Sequence, residues 1–431
     1  MRILVLTNFY PPLELGGYGQ WCYEITQWLQ SRGHCIEVLT SNYQTNRAPK
    51  DEPGVQRSLY LEGDLNYYSL THFFTKWPEQ HSENLNNLKN TIESFAPDVI
   101  FVWGMWAMSK ALPAMAEKLM PSRVVYFISD YWPSFVDTHT SYWYSKARRW
   151  YMRPIKRVMR KYAQSILLKS VSPNLIFQHA IIVSQAVKDT LVNSNDKFDH
   201  ATVIRGGTDI SRFDDIEDRD FSKKPLELLY AGQLVEHKGV HTAIEAMAEL
   251  VNDKGIDCIT LTIVGSGHPD YENHLRELVK NRGLKEYVIF YGRVDKDEMP
   301  QILSQYDVLI FPSIYEEPLA RMTQEAMAAR LVVVGTPTGG TKEILKEGKN
   351  GLTFMAEDSS DLAEQISKLI DDPELCRQLA ESGRRSVEEY FNLDRMATEI
   401  EIYLDNVYKS KTNTAPLLVS TYDIAEKGRF E

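Results

Sequence analysis

Short apolar runs alternate with segments of helical periodicity along most of the chain. Runs of this kind, bounded by Gly, Pro and polar residues, are typical of strands buried on both faces of a parallel sheet. Between them, apolar residues recur every three or four positions, which predicts amphipathic helices. The predicted strands are 3–6, 36–39, 99–102, 124–128 and 181–183 in the first half and 226–230, 260–264, 288–291, 308–311 and 331–334 in the second, with helices such as 19–30, 108–119, 240–250 and 275–280 between them.

This alternation predicts an α/β protein with two Rossmann-like domains, each built on a parallel sheet covered by helices. The segment Arg205-Gly-Gly-Thr-Asp209 and the acidic, polar stretch at 214–224 predict a domain boundary near residues 205–225. Open parallel sheets bind ligands at the carboxyl ends of their strands, so we expect the two sheets to face each other across a ligand-binding cleft. The predicted domains are 1–210 and 211–392, followed by a helix at 393–409 that packs back on the first domain and a tail at 410–431.

Composition narrows the class of protein. An apolar fraction of 43% and a charged fraction of 25% are those of an ordinary soluble protein. No apolar run reaches the roughly 18 residues of a membrane-spanning helix. The apolar run at the start of the sequence is too short, and too soon followed by polar residues, for a signal peptide. The cysteines lack metal-ligand spacing, so we expect reduced thiols in the cytosol at Cys22, Cys35, Cys258 and Cys376.

Charge is distributed unevenly between the two halves. Residues 1–210 hold 22 Lys and Arg against 18 Asp and Glu, whereas residues 211–431 hold 26 against 41. The first half therefore has a formal charge of +4 and the second a formal charge of −15, within a total of −11. This asymmetry indicates that the two halves meet different partners.

Two glutamates mark the most informative segment, Phe311-Pro-Ser-Ile-Tyr-Glu-Glu-Pro-Leu-Ala-Arg-Met-Thr-Gln-Glu325. Glu317 falls in a predicted loop and Glu325 in the first turns of a helix. Carboxylates so placed can accept hydrogen bonds from hydroxyls of one sugar-bearing ligand, and the N–H groups at the helix start can hold a phosphate. The spacing alone is better explained by the preference of acidic residues for helix starts, and it is the surrounding sequence that favours ligand binding.

Gly-rich loops follow several predicted strands. They are Tyr10-Pro-Pro-Leu-Glu-Leu-Gly-Gly-Tyr-Gly19, Ala231-Gly-Gln-Leu-Val-Glu-His-Lys-Gly239, Val264-Gly-Ser-Gly267 and Thr338-Gly-Gly340. Glycines in such loops allow positive φ and a close approach of the backbone to a ligand. The first loop does not have the Gly-x-Gly-x-x-Gly spacing of a dinucleotide site.

In combination, these motifs resemble those of retaining glycosyltransferases of family 4 (group 1), which have the GT-B fold. The resemblance extends over roughly residues 2–405. It implies transfer of a sugar from a nucleotide-diphosphate sugar to a glycan, glycolipid or other hydroxyl acceptor, as in polysaccharide biosynthesis. We expect the transferred sugar to be a hexose. A UDP- or GDP-sugar is the implied donor, and neither a metal ion nor another cofactor is implied.

The resemblance also assigns roles to residues. Glu317 is expected to hold the donor sugar, Glu325 the ribose, and Lys238 the diphosphate, while Gln233 stands where the family has arginine. An uncharged glutamine stabilises the leaving group less well, and Arg293 or Arg321 is a candidate replacement. Glu317, Lys238 and Asp130 are the predicted catalytic residues, and the predicted donor-binding residues are Gly16, Gly17, Gln233, Lys238, Gly265, Gly267, Arg293, Glu317, Arg321, Glu325, Thr338, Gly339 and Gly340.

The first half departs from the family pattern in Tyr126-Phe-Ile-Ser-Asp-Tyr-Trp132. Ser129 replaces a histidine of the family, whereas Asp130 is retained and can hold an acceptor hydroxyl or cap the chain after a strand. Two other functions therefore remain open. One is a sugar-nucleotide epimerase of similar fold, and the other is a catalytically impaired binding protein, indicated by Gln233 and Ser129.

A basic segment stands out within the first half, since residues 138–188 contain ten Lys and Arg and no Asp or Glu. Its apolar residues Tyr151, Ile155, Val158, Met159 and Tyr162 recur at helical spacing. Such a helix can bind an anionic membrane through residues 146–161, or it can be a solvated helix packed on the domain. We expect a cytoplasmic protein, peripheral on the inner face of the membrane, and no nucleic-acid partner because the chain is acidic.

Overall fold

A computed structural model of the chain describes residues 1–13, 17–49, 52–65, 67–147, 149–167, 174–194, 196–222 and 225–410. The chain divides into two compact units. The first unit comprises Met1–Val183, Val187–Ile204 and the chain from Ala397, and the second comprises Ser184–Ala186 and Arg205–Met396.

The first unit is built on a seven-stranded sheet in which all strands are parallel. Its strands are β1 (Arg2–Leu6), β2 (Cys35–Ser41), β3 (Val55–Leu59), β4 (Val99–Val102), β5 (Val124–Ile128), β6 (His179–Ile182) and β7 (Thr202–Val203). The order across the sheet is β3-β2-β1-β4-β5-β6-β7. The helices are α1 (Tyr18–Ser31), α2 (Leu70–Thr75), α3 (Trp77–Phe95), α4 (Ala111–Leu119), α5 (Thr138–Tyr144), α6 (Arg153–Leu167) and α7 (Gln185–Ser194), the last of which begins in the second unit.

The second unit contains a six-stranded parallel sheet. Its strands are β8 (Leu226–Ala231), β9 (Ile259–Val264), β10 (Val288–Gly292), β11 (Val308–Phe311), β12 (Val332–Gly335) and β13 (Leu352–Thr353), in the order β10-β9-β8-β11-β12-β13. The helices are α8 (Val240–Ala248), α9 (Pro269–Asn281), α10 (Met299–Leu303), α11 (Arg321–Ala328), α12 (Thr341–Ile344), α13 (Ser359–Asp371) and α14 (Pro373–Tyr390), followed by α15 (Leu393–Lys409), which has residues in both units.

The central strands explain why the sequence forms these sheets. Every residue of β4, β5, β6, β11 and β12 is buried, as expected for strands covered on both faces by helices. The prediction of two Rossmann-like domains with parallel sheets is therefore confirmed. The strands that the pattern did not predict are β3, β7 and β13, which lie at sheet edges and are short or half-buried, so they lack a continuous apolar run.

The strand order of the second sheet identifies where a ligand would bind. From β8 the chain proceeds outward through β9 to β10 and then returns to the other side of β8 to form β11. In open parallel sheets, ligands bind outside the carboxyl ends of the strands at such a reversal. The loops after β8, β9, β11 and β12 all leave from that edge, and they contain most of the predicted donor-binding residues of this unit. Arg321 and Glu325 lie in α11, which follows the loop after β11, and Arg293 follows β10.

Among the described residues, no helix combines the length and the apolar character needed to cross a bilayer. The residues from Ala397 onward in α15 belong to the first unit. There His34 contacts Glu401 at 2.9 Å, between Nε2 and Oε1, and Arg123 lies over the ring of Tyr408. The structure forms no disulfide at Cys22, Cys35, Cys258 or Cys376.

Candidate active site

Glu317 and Lys238 form a close ion pair in the second unit. The Nζ atom of Lys238 lies 2.5 Å from Oε1 of Glu317, and the hydroxyl of Ser313 donates a second hydrogen bond to the same oxygen at 2.5 Å. Glu317 and Ser313 are buried, whereas the Lys238 side chain retains 23% of its exposure. The ammonium group is therefore oriented by a buried carboxylate while part of it still meets solvent.

The loops after β8 and β11 bring this pair together. The carbonyl of His237 accepts hydrogen bonds from the backbone N–H groups of Ile314 at 2.9 Å and Tyr315 at 3.2 Å. Gly239 has a φ of +67°, and a Cβ atom there would lie 1.9 Å from the carbonyl oxygen of Pro312. Only glycine permits this approach, so the glycine after Lys238 fixes where the lysine stands.

Glu325 forms a second buried pair one helix turn away from the start of α11. Its Oε1 atom accepts a hydrogen bond from Nε of Arg321 at 2.8 Å, and each side chain is about one-tenth exposed. Ala320, which precedes the helix, provides no side-chain cap. The first backbone N–H groups of α11 are thus not satisfied by a capping side chain and remain suited to an anion.

The two glutamates share one feature that bears on ligand binding. In the part of the chain that the structure describes, each carboxylate receives its side-chain hydrogen bonds at Oε1 alone, from Lys238 and Ser313 or from Arg321. Oε2 of Glu317 and Oε2 of Glu325 are left to accept hydrogen bonds from a ligand. A carboxylate oxygen accepts hydrogen bonds from hydroxyl groups, so hydroxyl donors of a ligand suit both positions.

The turn at residues 338–340 is built against Glu317. The backbone N–H of Gly340 donates to the carbonyl of Glu317 at 2.6 Å, and the hydroxyl of Thr338 reaches the carbonyl of Ser313 at 3.4 Å. A Cβ atom on Gly339 would lie 2.3 Å from the Glu317 carbonyl oxygen, and Gly339 has a φ of +52°. All three residues of the predicted turn therefore lie beside the Glu317 loop.

The loops after β8 and β9 are joined by equally tight glycine contacts. Gly265 has a φ of +140°, and an added Cβ would lie 1.8 Å from the carbonyl oxygen of Gly232. An added Cβ on Gly267 would lie 1.8 Å from the carbonyl oxygen of Leu234. These glycines serve to align the two loops, which is a structural explanation for a pattern that resembles a phosphate-binding loop.

Gln233 and Arg293 have exposed side chains. The carbonyl of Gln233 accepts a hydrogen bond from the hydroxyl of Tyr230 at 2.7 Å, which fixes its backbone but not its side chain. Arg321, the other candidate replacement for the family's arginine, is paired with Glu325. The structure thus gives Lys238 a partner in Glu317, whereas the side chains of Gln233 and Arg293 extend into solvent.

The predicted residues of the first unit form a separate group. Gly16 lies outside the described residues, and Gly17 directly precedes α1 with an ordinary φ of −82°. Oδ1 of Asp130 accepts a hydrogen bond from the backbone N–H of Trp132 at 2.7 Å, which is the capping role considered for it. Desolvation raises the pKa of Asp130 to about 6, although the side chain is not fully buried. Ser129 is buried, and its hydroxyl has no hydrogen-bond partner among the described residues.

The sequence did not predict the residues that hold Glu317 in place through hydrogen bonds, which are Ser313 and Thr336. The hydroxyl of Thr336 donates to the carbonyl of Ser313 at 2.5 Å, and Ser313 in turn donates to Glu317. Both side chains are buried. The available signal was the position of Ser313 at the end of a buried strand, four residues before Glu317. The partnership with Thr336 depends on the neighbouring strand and has no local signature.

Glu343 also has a role that its position in the sequence did not reveal. Oε1 accepts a hydrogen bond from the backbone N–H of Ala186 at 3.0 Å, and Oε2 pairs with Nε of Arg205 at 2.9 Å. Ala186 ends the short segment Ser184–Ala186 of the second unit and Arg205 begins its long segment Arg205–Met396, so both lie where the chain passes between units. Its contacts are therefore with these connecting segments of the chain.

The basic segment forms α6, but its apolar residues do not all lie on one face. Met159 and Ile166 pack against a core cluster that includes Phe73 and Trp143, with Ala163 buried in it. Other apolar residues of α6, together with Trp150 just before the helix, are exposed beside three exposed cations. We call this set the α6 surface; it consists of Trp150, Ile155, Val158 and Tyr162 with Arg153, Arg157 and Lys161.

Met159 therefore does not share one exposed face with the other apolar residues at helical spacing, which are Tyr151, Ile155, Val158 and Tyr162. Helical spacing could not separate them because Met159 lies at the margin between the packed and exposed sides. Two further cations of the segment are engaged locally, since Nζ of Lys156 lies 4.3 Å from the centre of the Tyr142 ring and Arg160 lies over Tyr144.

Within the residues that the structure describes, no group of three or more His, Cys, Asp or Glu side chains is arranged to hold a metal ion. The positive charges beside the two glutamates are those of Lys238 and Arg321. The pKa of His237 is lowered mainly by partial burial and, to a smaller extent, by the positive charge of Lys238. Its imidazole is therefore neutral near pH 7.

Comparison with known proteins gives the same family over both halves of the chain. The family model "Glycosyl transferases group 1" matches residues 211–386, and that of "Glycosyltransferase Family 4" matches residues 15–212. The N-acetyl-alpha-D-glucosaminyl L-malate synthase of Bacillus anthracis is 30% identical over 409 residues, which cover 94% of this chain and 97% of that protein.

Solved structures agree on the fold. Sucrose-phosphate synthase from Thermosynechococcus elongatus matches with a TM-score of 0.70 and 19% identity, over 94% of this chain and 99% of that one. Anabaena HepE in complex with UDP-glucose matches with a TM-score of 0.66 and 19% identity, over 94% of this chain and 100% of that one. These likenesses show the GT-B fold. With two family models that between them extend across both units, and a relative that is 30% identical along nearly its whole length, the chain belongs to the group 1 glycosyltransferases of family 4.

Proposed function

We propose that the protein transfers a hexosyl group from a UDP- or GDP-sugar to a hydroxyl of a glycan or lipid-linked acceptor, with retention of configuration. The observation that carries this proposal is the pair of buried glutamates, Glu317 and Glu325, each neutralised by a cation at Oε1 and each with Oε2 available. A nucleotide sugar carries hydroxyls on both its ribose and its sugar, which suits two such carboxylates.

Glu325 is the residue that we assign to the ribose. It lies within α11, whose first N–H groups lack a side-chain cap and can bind a phosphate oxygen of the same nucleotide. A carboxylate oxygen can accept from a ribose hydroxyl while Arg321 holds the other oxygen in place. This arrangement binds the nucleoside and phosphate together at one helix start.

Glu317 and Lys238 are assigned to the sugar and the diphosphate. An ammonium group has three N–H donors, and among the described residues Lys238 gives one of them to Glu317. The others can meet diphosphate oxygens as negative charge develops on the leaving group, which is where preorganised cations accelerate a reaction most. Glu317 itself then accepts from a hydroxyl of the transferred sugar through Oε2.

For the reaction, we infer the front-face mechanism that similarity to retaining family members implies. The bond between the anomeric carbon and the diphosphate oxygen breaks, and the acceptor oxygen bonds to the same face of that carbon. The departing phosphate oxygen takes the proton of the acceptor hydroxyl, so atoms and charge balance without a protein nucleophile. Lys238 and the main-chain amides stabilise the diphosphate throughout.

The comparison with HepE supports a nucleotide-sugar donor, because that protein of the same fold is described in complex with UDP-glucose. It does not distinguish a transferase from a sugar-nucleotide epimerase. Product analysis distinguishes the two. The protein is incubated with a nucleotide sugar and an acceptor, and NMR of the anomeric proton shows whether a new glycoside or an epimerised donor has formed.

The decisive experiment compares two isosteric substitutions in the second unit. We expect Glu325→Gln to weaken binding of the active UDP- or GDP-sugar about tenfold, because a charged acceptor for the ribose is lost. Glu317→Gln should instead lower turnover more than affinity, because it also releases Lys238. Donor affinity is measured by calorimetry after a thermal-shift panel of nucleotide sugars.

Glu364→Gln is the matched control, since Glu364 is an exposed glutamate of α13 in the same unit. It should behave as the parent protein in both assays. If Glu325→Gln and Glu317→Gln leave donor affinity and turnover unchanged, the two carboxylates do not form a donor site and the proposal fails.

We propose in addition that the α6 surface binds an anionic membrane, which favours a lipid-linked acceptor. Exposed apolar side chains beside exposed cations are the combination that binds such interfaces. Trp150 is 76% exposed and Val158 is 70% exposed, next to Arg153, Arg157 and Lys161. Each cation contributes roughly 1 kcal/mol near anionic lipid.

A further inference from the structure

A pocket of about 220 Å³ lies in the first unit, and none of the predicted catalytic or donor-binding residues lines it. It is formed by the loop between β3 and α2 together with the start of α5. Its size is below that of a site for a drug-sized ligand and suits a single small ring or polyol. Its polar lining consists of Glu62, Asp64, Ser69, His72, Thr138 and His139, with Tyr67 and Tyr68 as aromatic members.

Glu62 is the central group of this pocket. The residue is 7% exposed, and among the described residues its carboxylate is hydrogen-bonded only by Thr138, whose backbone N–H lies 3.4 Å from Oε2. Burial, followed by repulsion from Asp137, raises the pKa of Glu62 to about 7. Lys110 partly offsets this effect, but its Nζ donates to the carbonyls of Pro133 and Phe135. The carboxylate therefore lacks a strong donor, which a ligand can supply.

The lining adds a second carboxyl group, that of Asp64, and the hydroxyls of Ser69 and Thr138, which can both donate and accept hydrogen bonds. Nε2 of His72 lies 2.8 Å from Oε1 of Gln80, and in the tautomer that donates to this oxygen Nδ1 is an acceptor. Nδ1 of His139 is within 3.0 Å of the Tyr68 hydroxyl, and burial lowers the pKa of His139 to about 4, so this ring is uncharged at neutral pH. Such a lining matches hydroxyl donors and disfavours anions, which bring further acceptors.

The aromatic members are placed to contact the body of a ligand. Tyr68 is held rigidly, since its ring stacks on Tyr142 with centroids 3.7 Å apart and its hydroxyl meets His139. Tyr67 is 66% exposed and stands at the rim of the pocket. An exposed tyrosine beside an acceptor-rich cavity offers an apolar face for the C–H groups of a ring while its hydroxyl stays in water.

We propose that this pocket binds an uncharged polyhydroxyl group, a monosaccharide ring or polyol, with Glu62 accepting its hydroxyl hydrogens and Tyr67 covering its apolar face. Assigning this group to the acceptor rests on the transferase activity proposed above. The inference specifies the acceptor further: the part that enters the pocket is neutral, rather than a phosphate or a uronate.

The test measures ligand binding to the full chain by saturation-transfer NMR in the absence of nucleotide sugar. The probes are methyl α-D-glucopyranoside and glycerol, with glucose 6-phosphate and glucuronate as their anionic counterparts. We expect saturation of the neutral probes and a much weaker signal from the anionic ones. Glu62→Gln should weaken neutral binding about tenfold, because the carboxylate is replaced by a group with one neutral acceptor.

Two further variants test whether the signal comes from this site. Glu93→Gln, at an exposed glutamate of α3, should leave the signal unchanged, whereas Tyr67→Ala should reduce it. Tighter binding of the anionic probes, or neutral binding unaffected by Glu62→Gln, overturns the inference. Loss of donor binding alone would refute the transferase proposal and leave this site standing, because the measurement uses no donor.

Discussion

Single glycines determine the geometry of the candidate active site more than its charged residues do. Gly239 and Gly255 offer a matched comparison, because both have a φ of +67°. A Cβ on Gly239 would collide with the Pro312 carbonyl at 1.9 Å, whereas a Cβ on Gly255 would meet nothing within 4 Å. The position of Lys238 thus depends on the side chain that its neighbour lacks.

We expect Gly239→Ala to destabilise the protein by several kcal/mol and to lower turnover, because the loop after β8 must move away from Pro312 and take Lys238 with it. Gly255→Ala only places a side chain on a left-handed backbone, which should lower the free energy of unfolding by about 1–2 kcal/mol and leave turnover unchanged. Chemical denaturation and transfer assays measure the two effects. Equal losses in both variants would show that backbone strain, and not close approach, limits the site.

Glu62 gives a prediction for pH. Its folded pKa of about 7 exceeds the ordinary value of 4.5, so the folded state holds a proton that the unfolded state loses first. The stability that this proton contributes is fully present below about pH 4.5 and is lost as pH rises through about 7. Glu62→Gln should therefore raise Tm at about pH 8 and have little effect near pH 4.5.

A thermal-unfolding series over this pH range provides the measurement, with Glu93→Gln as the exposed control. A pH-independent difference in Tm would mean that Glu62 does not titrate between these limits. The combination expected of Glu62→Gln, higher stability with weaker binding of neutral polyols, distinguishes a ligand-binding carboxylate from a structural one.

At the scale of elements, apolar pattern predicted the central strands well, with bounds within a few residues. It failed where burial is partial, as at β3, β7 and β13, because edge strands need no continuous apolar run. It also could not assign the two sides of α6, where Met159 packs inward and Val158 points to solvent. The periodicity of a helix is a local property, but the neighbour it packs against is not.

The α6 surface yields a prediction at the same scale. We expect Val158→Glu to reduce binding to mixed phosphatidylcholine–phosphatidylglycerol vesicles at least tenfold, because it removes apolar contact and introduces repulsion from anionic lipid. Met355→Glu is the control, since Met355 is 69% exposed in the second unit and Val158 is 70% exposed. Vesicle sedimentation measures the bound fraction.

Pure phosphatidylcholine vesicles should bind both variants and the parent weakly. Equal sedimentation of the parent with neutral and anionic vesicles would contradict a role for Arg153, Arg157 and Lys161. Equal binding of Val158→Glu and the parent would place the membrane contact elsewhere on the protein.

For the molecule as a whole, the motifs of the second half were sufficient to predict the family, but they did not predict that Lys238 pairs with Glu317. The pocket beside Glu62 could not be predicted, because its residues come from an irregular loop and the start of a distant helix. Ser313 and Thr336 illustrate the same limit within the donor site. Contacts between segments far apart in sequence produce no local pattern from which they could be predicted.

The mutual neutralisation of Lys238 with Glu317 and of Arg321 with Glu325 has a kinetic consequence. A site whose nearby charges cancel exerts little attraction beyond contact distance, and it lies in the half of the chain that carries −15 overall. An approaching pyrophosphate ester therefore meets net repulsion before it meets Lys238. Added sodium chloride shields that repulsion, so the bimolecular capture rate should rise with ionic strength, the reverse of electrostatic steering.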